Sequence, residues 1–230
     1  MKTLLVLQHT EAEYLGYLED HFESRNIRFR YVRPFAPGNM VPVSAEGHDG
    51  LVILGAGAFG VVSGHLLPTL APEMRLAADF LSRDLPVIGI GIGAIILSVA
   101  AGGGAEDAPL RFEVHEAISE PGALGGDLPD MFPVVIYMRD RPVLPAGAAV
   151  LARDGEKNPV VFAVGKHSLG FAGHPGVKSA MIEDIIMEFD ETPDGTAQTL
   201  GRLREVQFDV ADSLSRLMVG LVRHAGFMDV

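Results

Sequence analysis

Near its middle the chain reads Pro86-Val-Ile-Gly-Ile-Gly-Ile-Gly-Ala-Ile-Ile-Leu97. Its first five residues form a short apolar run, which is typical of a strand buried on both faces of a sheet. Gly91 and Gly93 then predict a tight turn, and the apolar run from Ala94 predicts a helix directly after it. A strand that turns sharply into a helix has the shape of a nucleophile elbow, which lifts one residue above the sheet at a helix N-terminus. Because free N–H groups there favour negative charge, the turn is a candidate site.

The glycine spacing alone leaves other kinds of loop open. Gly-x-Gly-x-Gly after a strand also occurs in phosphate-binding loops and near the start of dinucleotide folds. The dinucleotide fingerprint, however, has a Gly-x-Gly-x-x-Gly spacing at the first strand-to-helix turn, whereas these glycines follow the fourth predicted strand. No Gly-Lys-Ser/Thr follows them, so the P-loop pattern is absent. Nucleotide binding is the weaker interpretation of this turn.

Strands and helices alternate through the first half of the chain. Thr10 and Glu13 have the spacing of a capping box and predict that the first helix begins at Thr10. Since parallel strands need crossover helices, the alternation predicts a doubly wound, mostly parallel sheet flanked by helices. The predicted strands are residues 3–8, 28–32, 51–54 and 86–90, and the next two helices are residues 71–82 and 94–101.

The second half carries shorter strands separated by turns, which predicts antiparallel additions at an edge of the sheet. These strands are residues 111–118, 134–138, 148–152, 160–164 and 168–172. Residues 177–188 form the next predicted helix, residues 192–195 a turn, and residues 200–224 one long amphipathic helix. We expect one domain over residues 1–190, with residues 191–230 as a C-terminal helical extension packed on it.

Composition restricts the partners and the chemistry. The 230 residues carry a net charge of −12, from 18 basic and 30 acidic residues, which argues against nucleic acid or an anionic membrane as partner. There is no cysteine, which excludes disulfides, thiolate metal sites and cysteine catalysis. The apolar part of the N-terminal run is too short for a signal peptide, and no stretch reaches the roughly 18 apolar residues of a membrane span. We expect a cytoplasmic protein without a metal or a cofactor.

The elbow segment resembles that of the class I glutamine amidotransferases. In that family a strand is followed by Gly-x-Cys-x-Gly and by a helix that opens with a glutamine. The GMP-synthase-like branch typically reads Pro-Val-Leu-Gly-Ile-Cys-Leu-Gly-Ala-Gln-Leu-Leu. Against this pattern, Gly91 stands at the position of the cysteine and Ile95 at the position of the glutamine.

Four further segments resemble the family pattern, and the resemblance covers roughly residues 1–190. Residues 4–9 resemble the opening strand with its Leu-Gln-His ending, and residues 49–57 resemble the Asp-Gly-x-Val-x-x-Gly-Gly segment whose backbone helps to form the oxyanion hole. Residues 169–176 resemble Gly-x-Gln-Phe-His-Pro-Glu, with His174 retained and Gly176 in place of the glutamate. Residues 132–140 resemble a strand that normally carries a histidine, and Met138 occupies that position.

The resemblance implies a site whose chemistry has been lost. The family uses a cysteine nucleophile, a histidine base and an orienting carboxylate, and of these only the base position, His174, is retained, while Gly91 and Gly176 mark lost groups. Glycine also relieves the backbone strain of an elbow residue. The expected pocket and oxyanion-hole residues are Gly55, Ala56, Gly57, Ile92, Gly93, Ile95 and Met138. Residues 139–141 are expected to be a surface charge cluster near the pocket rim.

The leading hypothesis is therefore a non-catalytic, amidotransferase-like protein, an accessory or binding subunit without glutaminase activity. Its partner would be an enzyme subunit or a second copy of the chain, and the C-terminal helix is a candidate docking element. Two alternatives remain open. One is a hydrolase or transferase of altered chemistry that uses His174 and the elbow backbone on a small non-glutamine substrate. The other is a small-molecule sensor.

Overall fold

A nine-stranded mixed sheet forms the centre of the computed structural model, which describes residues 1–228. From one edge to the other its strands are β2 (Arg28–Val32), β1 (Thr3–Leu7), β3 (Gly50–Ile53), β4 (Val87–Ile90), β11 (Ser168–Phe171), β10 (Pro159–Val164), β9 (Ala149–Arg153), β6 (Arg111–Ser119) and β7 (Met131–Met138). A separate two-stranded sheet pairs β5 (Gly104–Glu106) with β8 (Arg141–Val143).

The first five strands in this order are parallel. Strands β3 and β4 are buried along their whole length, as expected for parallel strands with helices on both faces. The register places Leu7 beside Ile53, Ile53 beside Gly89, and Gly89 beside Gly170. The carboxyl ends of these strands therefore meet at one edge, where ligand sites form in open α/β sheets.

The remaining four strands are antiparallel and extend the sheet beyond β11. The longest pairing joins β6 and β7 over eight residue pairs, from Arg111 beside Met138 to Ile118 beside Met131. The predicted fold class, a mostly parallel doubly wound sheet with antiparallel edge additions, is confirmed.

Helices cover the sheet and connect its parallel strands. They are α1 (Leu18–Ser24), α2 (Leu70–Ser82), α3 (Ile92–Ala100), α4 (Ser179–Glu188), α5 (Thr196–Glu205) and α6 (Gln207–His224). Among the described residues, 1–228, no helix combines the length and apolar character needed to cross a bilayer.

The predicted start of the first helix at Thr10 is wrong, because α1 begins at Leu18. Thr10 Oγ1 does accept a hydrogen bond from the Glu13 N–H at 3.1 Å, as in a capping turn. Gly16, however, has φ +61, in the left-handed region, which a right-handed helix cannot contain. The Glu13 side chain leaves the turn and bonds to a distant loop.

The single long C-terminal helix predicted over residues 200–224 is also wrong, because the chain breaks at Val206 into α5 and α6. The apolar residues of this segment pack into two separate hydrophobic cores. Leu203 and Val210 pack with residues of β6, whereas Leu214 packs in the main core. Gln207 fixes the start of α6, because its side chain accepts from the Ser179 N–H at 2.7 Å. Both helices lie against the sheet, α5 on β6 and α6 on β7.

Candidate functional site

Gly91 lies between the end of β4 and the start of α3, with φ +58 and ψ −122. Its N–H donates to the Phe171 carbonyl at 2.9 Å, and its carbonyl accepts from the Ala94 N–H at 3.0 Å. A Cβ at this position would lie 3.4 Å from the Gly55 Cα, an ordinary contact. The space therefore admits a side chain, but the left-handed backbone favours glycine.

The loop after β3 faces this turn and is bonded to Glu13. The Gly57 N–H donates to Glu13 Oε2 at 2.5 Å. A Cβ at Gly55 would lie only 1.9 Å from Glu13 Oε1, so the missing side chain at Gly55 makes room for the carboxylate. A backbone N–H of this loop is thus already bonded to a carboxyl oxygen of the chain itself.

Glu13 is buried, and its ionisation is unfavourable. Burial raises the pKa of Glu13 to about 7, against the opposing effects of the Gly57 hydrogen bond and of His9. Glu13 is not among the site residues expected from the sequence, because its spacing from Thr10 fits a helix cap. Only the finding that residues 10–17 are not helical reveals the buried carboxyl group.

His174 has both ring nitrogens occupied by the backbone. Nδ1 accepts from the Gly176 N–H at 3.1 Å, so Nε2 carries the proton and donates to the Tyr14 carbonyl at 2.8 Å. Burial lowers the pKa of His174 to about 4. The ring is therefore a neutral, buried imidazole without a free nitrogen for proton transfer.

Gly176 is a packed backbone junction. Its carbonyl accepts from the Tyr17 N–H at 2.9 Å. A Cβ there would lie 3.0 Å from the Leu15 carbonyl oxygen and 3.0 Å from the Leu18 nitrogen, and both atoms are backbone that cannot easily move. A glutamate at Gly176 would displace the segment before α1.

The cavity above the elbow is almost closed, with a volume of about 10 Å³. Gly91, Glu13 and His174 line it together with Tyr137. Apolar side chains at the start of α4 complete its walls, namely Val177, Met181, Ile182 and Ile185. A space of this size holds at most about one water molecule, so an amino-acid substrate does not fit.

The other expected pocket residues lie elsewhere. Ile92 and Ile95 are buried in the main core, and neither lines the elbow cavity. A Cβ at Gly93 would lie 2.1 Å from the Ile53 carbonyl, so this glycine permits close packing of α3 on β3. Met138 is buried at the end of β7. Gly55, by contrast, lies against the elbow, with its Cα 3.4 Å from the position of a Cβ on Gly91.

Asp140 was expected in a surface charge cluster, and that prediction is wrong because the residue is fully buried. Its carboxylate accepts from the N–H groups of Val61 at 2.7 Å and Val62 at 2.9 Å, and from the hydroxyl of Ser63. Burial acts to raise the pKa of Asp140, but these hydrogen bonds outweigh it and hold the pKa below its usual value. Asp140 thereby fixes residues 61–63, in the loop between β3 and α2.

Arg139 is buried as well and fixes the same loop from another side. Its Nε donates to the Ala58 carbonyl at 3.3 Å, and its Nη2 bonds to Glu191, which lies before α5. Strand β7 ends at Met138 and β8 begins at Arg141. Residues 139 and 140 therefore form a tight, buried connection between two strands and not the surface loop that the sequence predicted.

His9, at the end of β1, forms a buried ion pair with Glu73 of α2, 2.9 Å away. Its other nitrogen meets the Gly55 carbonyl at 2.8 Å. Since both partners are acceptors, both ring nitrogens donate and the ring is an imidazolium. Burial acts to lower the pKa of His9, but the charge and hydrogen bond of Glu73, the hydrogen bond to the Gly55 carbonyl and the Glu13 charge together outweigh it and raise the pKa. Sequence spacing could not reveal a pair 64 residues apart. Within residues 1–228 no group of three or more His, Cys, Asp or Glu is arranged to hold a metal ion.

Comparisons with known proteins agree with this geometry at the level of the fold. No family model and no curated protein sequence matches the chain. A glutamine amido transferase from Methylobacillus flagellatus superimposes with a TM-score of 0.82 at 18% identity, over 97% of this chain and 95% of the other. A glutamine amidotransferase from Thermotoga maritima gives a TM-score of 0.79 at 22% identity, over 97% and 98%. A candidate GMP synthase subunit from Thermoplasma acidophilum gives 0.59 at 16% identity, over 90% and 98%.

The chain therefore has the class I glutamine amidotransferase fold. Within that fold it is a variant whose elbow carries glycine, in a chain that contains no cysteine.

Proposed function

We propose that this protein is a non-catalytic member of the amidotransferase-like fold that works by binding, in an accessory role without glutaminase activity. The observation that carries the proposal is the internal carboxylate at the elbow. Glu13, which lines the elbow cavity with Gly91, accepts the hydrogen bond of the Gly57 N–H. Acyl transfer needs such a donor to be free, so that it can bind the substrate oxyanion.

Each component of covalent catalysis is missing or engaged elsewhere. Glycine at position 91 supplies no nucleophile. His174 has both nitrogens bonded to the backbone and a pKa lowered to about 4, so near neutral pH it neither accepts nor carries a proton for a substrate. The same facts weigh against an altered chemistry based on His174.

A binding role needs a surface, and the outer hairpin of the sheet supplies a candidate. Ile118 and Met131 face each other across the β6–β7 pair and are 58% and 57% exposed. Strand β7 is an edge of the nine-stranded sheet, so its outer side is open to another chain. The Thermoplasma protein of this fold is described as a subunit, which supports assembly with a partner enzyme here.

The proposal is tested by affinity capture from the source cell with mass spectrometry, alongside a glutaminase assay. We expect one partner enzyme to co-purify in stoichiometric amount, and its capture to fall at least tenfold in an Ile118→Ser, Met131→Ser variant. Val43→Ser is the matched control, because Val43 is apolar and exposed but lies outside the sheet. Capture of this chain alone, as a monomer in sedimentation, would contradict the accessory role.

A further inference from the structure

A second cavity, of about 130 Å³, lies where the start of β6 meets β8 and the turn between β9 and β10. We call it the arginine cavity, since Arg111 and Arg141 both line it. Ile136 lines this cavity and Tyr137 lines the elbow cavity. Because neighbouring strand residues point to opposite faces, the two cavities lie on opposite sides of β7. The arginine cavity is therefore separate from the elbow.

Arg111 is poorly neutralised for so buried a residue. Its side chain is only 12% exposed, and its Nη1 is buried without a hydrogen-bond partner in the part of the chain that the structure describes. The nearest carboxylate oxygen, on Glu113, lies 3.6 Å from Nε, beyond hydrogen-bond distance. Buried guanidinium groups are normally paired and fully hydrogen-bonded. An anion in the cavity would supply the missing countercharge.

Arg141 adds a second positive charge to the same cavity. It forms no ion pair among residues 1–228. Burial, and then the repulsion of Arg141, lower the pKa of Arg111 against the opposing charges of Glu113, Asp154 and Asp140, so the two guanidinium groups act on each other. Two converging guanidinium groups are suited to a carboxylate, which accepts paired hydrogen bonds from such planar donors.

The acidic residues of the cavity do not neutralise this pair. Asp154 is engaged by its own turn, where its carboxylate accepts from the N–H of Glu156 at 3.0 Å and from the N–H and side-chain amide of Asn158 at 2.8 and 3.0 Å. Glu106 and Glu156 are exposed and line the cavity from the solvent side. The cavity lining thus carries both signs, with Arg111 and Arg141 on one side of the balance and four carboxylates on the other, which disfavours polyanions and favours a ligand that carries both charges.

We propose that the arginine cavity binds a small molecule with one carboxylate and one ammonium group, in the manner of a free α-amino acid. The carboxylate lies against Arg111 and Arg141, and the ammonium group faces Glu113 and the exposed glutamates of the mouth. This ligand site does not depend on the proposed accessory role, and it gives the protein a means of sensing a metabolite while the elbow is closed.

Isothermal titration calorimetry of the full chain with each of the common L-amino acids tests this proposal. Propionate and inorganic phosphate are the matched probes, because each carries an anionic group without an ammonium group. We expect at least one amino acid to bind with one-to-one stoichiometry, and propionate and phosphate to bind at least tenfold more weakly. Binding of phosphate or propionate as tight as that of every amino acid, or no amino-acid binding at all, overturns the proposal.

Variants test whether the amino acid binds in the arginine cavity. Arg111→Lys keeps a positive charge but removes the planar donor pair, and we expect at least a tenfold loss of affinity for the amino acid identified above. Arg141 lies in β8 of the two-stranded sheet. The Arg141→Gln variant therefore gives a second test if the Arg111 variant fails to fold. Arg153→Gln is the control, because this arginine of β9 pairs with Glu120 and does not line the cavity. Unchanged affinity in Arg141→Gln, or an equal loss in Arg153→Gln, contradicts the assigned site.

Discussion

The carboxylate of Glu13 accepts a hydrogen bond from the backbone N–H of Gly57 at 2.5 Å, beside the elbow glycine. This contact joins a segment that precedes the first helix to the loop that follows β3. The pKa of Glu13 rises to about 7 because the group is buried.

Glu13 should make the protein less stable as the pH rises. The folded protein binds the Glu13 proton more tightly than the unfolded chain, whose carboxyl has the ordinary pKa of 4.5, so stability falls between pH 4.5 and about 7. The difference amounts to roughly 3 kcal/mol. In Glu13→Gln, whose amide oxygen still accepts from Gly57, this decline disappears. Urea unfolding at a series of pH values measures it, and an equal decline in the variant and the wild type would contradict the assignment.

His174 should produce the opposite dependence. Its pKa falls from 6.5 to about 4 in the folded protein, so the unfolded chain binds the proton more tightly and stability is lost as the pH falls from 6.5 to about 4. In His174→Gln, whose amide can still donate to Tyr14, we expect about 3 kcal/mol less acid destabilisation. His48 lies in a loop near the surface, so His48→Gln serves as the control for loss of an imidazole outside the buried site. NMR titration of the His174 ring, with a midpoint near 6.5, would refute this account.

Gly91→Ala isolates the backbone strain of the elbow. The added Cβ has room, at 3.4 Å from the Gly55 Cα, so the cost comes from φ +58 and should be about 1–3 kcal/mol of unfolding free energy. Gly201→Ala is the matched control, because Gly201 lies in α5 with no atom near its Cβ position and should gain up to about 1 kcal/mol. Thermal and urea unfolding compare the two. An unchanged free energy of unfolding in Gly91→Ala would show that the elbow backbone relaxes, and would contradict the expected strain.

Asp140→Ala should release the loop at residues 61–63. It removes the acceptor of the Val61 and Val62 N–H groups and leaves the Val61 donor buried without a partner, which alone costs about 1–3 kcal/mol. Hydrogen exchange should accelerate at residues 61–63 while the sheet stays protected. Asp127→Ala, which breaks a partly exposed pair with Arg223, should cost less than about 1 kcal/mol. Unchanged exchange at residues 61–63 would contradict the anchoring role.

The sequence predicted the sheet well because buried parallel strands have short apolar runs that are unambiguous. The run before Gly91 is one example, and β3 is another. The prediction from sequence failed where polar groups form hydrogen bonds with residues that are far away along the chain. Glu13 has the local spacing of a helix cap, yet its partner is Gly57, 44 residues away. The helix break at Val206 likewise depends on which core each apolar residue joins, and periodicity does not contain that information.

The structure brings some of the expected site positions together. Gly91 and His174 line one cavity, and the Gly55 Cα lies 3.4 Å from the position of a Cβ on Gly91, because these residues follow neighbouring strands of the sheet. The closure of that cavity by Glu13 and by side chains of α4 required the structure. The structure also shows that Gly176→Glu would collide with backbone before α1, so restoring the family residues one by one would disturb the fold there.

The central claim is tested most directly by measuring ammonia release from glutamine by the pure wild-type chain, with the Thermotoga maritima amidotransferase of the same fold as a positive reference. We expect a rate no higher than that of buffer alone, and an unchanged rate in Glu13→Ala, since opening the cavity supplies no nucleophile at Gly91. Glutamine turnover by the wild type that is lost in His174→Gln, with the variant shown to be folded, would contradict the account.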